Sequence, residues 1–135
     1  MALVAHTHSK GMLSFPITGQ VSHAAGASGT VGHIVNPEDG TIVVTKCFAY
    51  ISASSTGACN LTVGVGASTT AAHDRTDLFA AAAMAAAAGT AVVGFADGDP
   101  ADALPVIDDG EYIAAYCSAD SSGLAGRVYI EYVRV

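Results

Sequence analysis

Five histidines, three cysteines and twelve carboxylates are the residues of this 135-residue chain best equipped for chemistry, and their spacing limits which chemistry is open. His6-Thr7-His8 sets two imidazoles on one short segment, but zinc sites take three or four ligands. His23, His33 and His73 stand in Gly- and Ala-rich stretches, without the partners of a catalytic triad or a zinc motif. Asp97-Gly98-Asp99-Pro100-Ala101-Asp102 opens like a calcium loop. An EF-hand requires Gly at its sixth position and Glu at its twelfth, where this chain has Asp102 and Asp108, so that motif is excluded. Asp97, Asp99 and Asp102 remain the candidate ligands of an irregular calcium site, and a solvated pair of turns is the simpler expectation. Asp108 and Asp109 are adjacent in an Asp-Gly turn, which sets their side chains apart rather than in a shared acid–base pair. No GxSxG occurs, and Gly64-Val65-Gly66 lacks the Lys of a phosphate loop. We therefore expect no catalytic residues and no cofactor.

The cysteines, Cys47, Cys59 and Cys117, are odd in number and form no CxxC unit. Cys47 and Cys117 fall in apolar stretches, where a free thiol acts as a small buried hydrophobe. Three reduced core thiols are expected.

The elements around these residues read as strands and turns. Residues 1–17 resemble an extended arm, broken by Gly11 and Pro16, with Met12, Leu13, Phe15 and Ile17 available to pack on a neighbouring surface. Residues 18–135 form the expected domain. Short strands are predicted near 20–23 and 30–35. Asn36-Pro37-Glu38-Asp39-Gly40 is a turn, in which Pro presets φ and Gly accepts a positive one. Residues 41–51 are β-branched and aromatic, the strongest strand signal in the chain. Along 59–66, Cys59, Leu61, Val63 and Val65 share one face, and the glycines opposite admit close approach of another backbone. Strands are also predicted over 90–95, 111–117 and 127–135, the last with Val128, Ile130 and Tyr132 on one side, while Val106-Ile107 leads into the Asp108-Asp109-Gly110 turn. The alanine run predicts a short helix near residues 76–88, capped by Thr76 or Asp77 and by Gly89. The alternative there is a loop whose alanines face a partner. Strands every 10 to 15 residues give the rhythm of an all-β sandwich or barrel.

Composition narrows the function. Hydrophobic residues make up 51%, but alanine supplies 27 of them, so the core is thin. Charged residues are 13% and the net charge is −7. The five cations form no patch in sequence, which disfavours nucleic acid and anionic membranes as partners. No stretch reaches the ~18 apolar residues of a membrane span, and the first residues lack a signal-peptide layout. So little charge suits a surface that touches other subunits.

Residues 36–135 resemble the capsid decoration (cement) proteins of tailed bacteriophages. The resemblance is carried by Asn36-Pro37, Gly40, Ile42–Ile51, Ser54-Ser55-Thr56-Gly57-Ala58, Leu61–Gly66, Asp77-Leu78-Phe79, Gly110-Glu111-Tyr112-Ile113 and Gly123–Tyr132. It implies a jelly-roll-like β-sandwich and a homotrimer bound to the major capsid protein on the outer face of the virion head. Such a protein would be made in the host bacterial cytoplasm, and the arm residues Met12, Leu13, Phe15 and Ile17 would be contacts. The alternative reading is a small carbohydrate- or calcium-binding sandwich module. A hydrolase ranks last, because no nucleophile–base pair can be named.

Overall fold

The computed structural model describes residues 10–20, 29–72, 78–93 and 104–135. Among these residues, nine strands and one helical turn follow in order: β1 (Lys10–Thr18), β2 (Gly29–Val35), β3 (Ile42–Ala53), β4 (Asn60–Gly66), α1 (Thr69–Ala72), β5 (Phe79–Ala83), β6 (Thr90–Val93), β7 (Val106–Ile107), β8 (Tyr112–Cys117) and β9 (Ala125–Arg134). Every pairing is antiparallel. The chain behaves as one long ribbon folded across itself. β4 pairs β5 near the ribbon's tip, β3 pairs β6 and β7, β2 pairs β8, and β1 pairs β9. Wrapping then sets β9 beside β3 and β8 beside β4. Two sheets result: β1-β9-β3-β6 with β7 also on β3, and β2-β8-β4-β5. This is the jelly-roll strand order, an all-β sandwich over one core.

Period-two alternation builds that core. Leu13, Phe15 and Ile17 of β1 meet Ile42, Val44 and Ile51 of β3, and Val128 and Ile130 of β9, all buried. The other sheet contributes Leu61 and Val63 of β4, and Ile113, Ala115 and Cys117 of β8. The expected inward faces of β4 and β9 are observed. β8 is buried on both sides, including Ala114 and Tyr116. α1 lies over the outer face of β4 and β8. Gly66 permits this, because a Cβ there would stand 2.7 Å from the backbone of Ala71 and Ala72.

Three expectations change. Residues 10–17 are a core strand paired along its whole length with β9, so the boundary drawn between 17 and 18 falls inside β1. Their alternation spans only three apolar residues, Leu13, Phe15 and Ile17, and includes Pro16, whose missing N–H is tolerated on this edge strand. The alanine run is a strand and turns, not a helix: β5 covers 79–83, while Thr76 and Asp77 lie outside the described residues. Helix propensity is worth only tenths of a kcal/mol per residue, and an isolated 12-residue helix is marginal. The strand docks both ends of the run, burying Leu78 and Met84 completely. Leu78 N–H donates to Val63 O at 3.0 Å and Met84 N–H to Cys59 O at 3.0 Å. Gly89 has the left-handed φ of 78°, at the turn into β6, where its N–H donates to Ile51 O. Gly40 has no positive φ; Asn36 ties that turn instead.

Candidate functional site

The outer faces of the two sheets differ. That of β4 and β8 is covered by α1, whereas that of the five-stranded sheet is rich in exposed apolar groups. Its side chains form cross-strand rows. One runs Val93, Phe48, Tyr129, Ser14; another Ala91, Tyr50, Arg127, Pro16; a third Val106, Val43, Val133, Lys10. Met12 sits opposite Glu131 in a fourth, beside Thr45 and Lys46, which share one bulge in β3. Phe48 and Tyr129 stack with ring centroids 5.0 Å apart. Met12, Tyr50, Val93 and Val106 are 55%, 46%, 69% and 53% exposed, four of the seven large exposed hydrophobics among the described residues. A contiguous apolar face of this kind marks an interaction surface more often than a solvated one.

The charges on this face are unbalanced. Its outward positions on the five strands carry Lys10, Lys46 and Arg127 and a single carboxylate, Glu131, in a chain with twelve acids, while Arg134 has the inward parity of Tyr132. Arg127 Nη1 donates to Ser14 Oγ at 2.8 Å, holding its side chain along the face.

A polar clasp closes one end of the sheet. Glu38 accepts from Arg134 Nε at 2.6 Å, Arg134 Nη2 at 2.8 Å and Tyr132 Oη at 2.6 Å. Arg134 Nη1 also donates to Lys10 O, and its guanidinium lies 5.6 Å from the Tyr132 ring centroid. The Arg134 hydrogen bond, then that of Tyr132, lowers the Glu38 carboxyl to about 2. Desolvation, with Glu38 adding to it, raises the Tyr132 hydroxyl. Gly11 leaves room for the Tyr132 ring, and a groove of about 390 Å³ runs beside it, between Met12, Thr45 and Glu131. The same end holds the two acidic turns. Buried Asn36 joins them through Nδ2, which donates to Gly40 O at 3.0 Å and Asp108 O at 3.0 Å. Thr41 Oγ1 donates to Asp108 Oδ1.

Of the residues singled out in the sequence, Met12 lies on the exposed face, while Leu13, Phe15 and Ile17 point into the chain's own core at 5%, 2% and 1% exposure. Asp97, Asp99, Asp102, His6, His8, His23 and His73 lie outside the described residues. His33 is exposed on β2, its ring 6.3 Å from that of Tyr112. Among the described residues, no group of three metal-ligating side chains converges. Asp108 and Asp109 occupy the turn closed by Gly110, at φ 78°. All three cysteines are free and buried. Burial pushes the Cys47 thiol up to about 12, and burial with Cys59 beside it does the same to Cys117. Tyr50, Phe48, Tyr129, Val93 and Val106 were not singled out as contacts in the sequence. Their signal was there: β3 and β9 carry large apolar residues at both parities, more than a half-buried strand requires.

Among the described residues no helix is long and apolar enough to cross a membrane. Comparison with known protein families, with curated proteins and with solved structures finds no match.

Proposed function

We propose that this chain is a structural protein of a bacteriophage virion, bound to the outer surface of the head as an oligomer, a homotrimer, and stabilising the shell. Its partners are then the major capsid protein and sister copies. One observation carries this reading: the five-stranded sheet leaves an apolar, aromatic face open, whereas α1 lies over β4 and β8 of the other sheet. An open face of this kind is stabilised when a partner removes it from water, at about 25 cal/mol per Å². The low charged content fits a surface shared with neighbours. The test is sedimentation of the purified chain, alone and with heads of the virus that encodes it. A trimer that co-sediments with the heads is expected. A monomer that leaves them bare would refute the proposal.

A further inference from the structure

We propose that the outer face of the five-stranded sheet is occupied by a second copy of this chain, joined head to tail through its acidic end. This rests on the reading of the chain as a self-associating shell protein, and names which surfaces of it meet. Among the described residues, the face offers Lys10, Lys46 and Arg127 against Glu131 alone. Two copies meeting face to face would oppose like charge, which disfavours a two-fold symmetric contact. The complement lies elsewhere on the same molecule. Asp39, Asp108, Asp109 and Glu111 gather where β3 begins and β9 ends, on two turns braced together by Asn36 and Thr41. Glu38, at the same end, is neutralised by Arg134 within its own chain, Asp108 accepts from Thr41 Oγ1 and Glu111 from the Asp108 N–H, so exposed Asp39 and Asp109 are the carboxylates presented outward. A face-to-end contact is heterologous and closes into a ring when its rotation permits. Apolar rows supply the buried area, and the charges set orientation and exclude the face-to-face arrangement.

The test is charge reversal followed by sedimentation of the full chain. Lys46→Glu with Arg127→Glu reverses the face, and Asp39→Lys with Asp109→Lys reverses the end. Each pair is expected to weaken self-association by about tenfold or more, and all four together to restore it. Lys46 is exposed, so Lys46→Glu alone keeps the test standing should the pair with Arg127 impair folding. Self-association of the wild type should also weaken with added salt. A wild-type oligomer indifferent to either reversal would overturn the proposal. So would face-reversed chains that remain oligomeric but no longer bind heads, since the face would then belong to the shell; the proposed function would survive that result. A wild type that stays monomeric and ignores the heads would overturn both.

Discussion

Glu38 receives three hydrogen bonds from charged or phenolic donors, and its carboxyl is held at about 2. A carboxyl whose folded pKa lies below its unfolded value stabilises the fold above the unfolded pKa, and that contribution is lost as pH falls toward the folded one. The window therefore runs from about 4.5 down to about 2. Glu38→Gln is expected to lower the melting temperature at pH 7 and to flatten its fall between pH 4.5 and 2, read by circular dichroism. A Gln variant that tracks the wild-type acid curve would show that the clasp is idle. The thiols make a second case. Cys47, Cys59 and Cys117 are 2%, 3% and 0% exposed. Thiolate is the reactive form, and burial raises the Cys47 and Cys117 thiols to about 12. A chromogenic disulfide reagent at pH 8 should titrate none of the three in the folded chain and all three in guanidinium. Rapid reaction of any one without denaturant would contradict the packing.

Among the elements, β1 is the one whose role the sequence understated. It pairs with β9 from Lys10 to Thr18 and places Leu13, Phe15 and Ile17 in the core. Phe15→Ala is expected to destabilise the fold by about 3–5 kcal/mol, measured by denaturant unfolding. Deleting residues 1–17 should abolish cooperative unfolding, because it strips an edge strand and bares the core side of β9. An intact, cooperative truncation would restore the idea of a dispensable arm. Glycines sort the same way. Gly32 of β2 packs against Pro16 O of β1, with Phe15 and Ile17 beside it, at the corner where the sheets approach. Gly32→Ala should cost about 1–3 kcal/mol through overpacking. Gly40 faces open space, so Gly40→Ala should stay within about 0.5 kcal/mol. Equal effects at both positions would argue against that corner contact.

For the whole molecule, the decisive asymmetry is between one sheet whose β4 and β8 lie under α1 and one whose outer face is left open. Val93→Asp and Val106→Asp, at 69% and 53% exposure, should leave the unfolding of the monomer nearly unchanged and weaken association, as seen by light scattering. A large loss of monomer stability would instead place these side chains in a core. The pattern of strands and turns was legible beforehand, since alternation and turn chemistry are local: the inward faces of β4 and β9 and the buried thiols could all be read along the chain. Residues 79–83 could not, because alanine fits both helix and strand, and the slot beside β4 that decides between them is built by distant sequence. The clasp is likewise invisible in one dimension, as Glu38 lies 94 and 96 positions from Tyr132 and Arg134. Five cations that look scattered in sequence include four that fall on one sheet, because β1, β3 and β9 pair there. Alternation determines that a strand has two faces. Which face is closed, and which is left exposed, is set by pairing between residues far apart in the chain, and only the folded structure decides it.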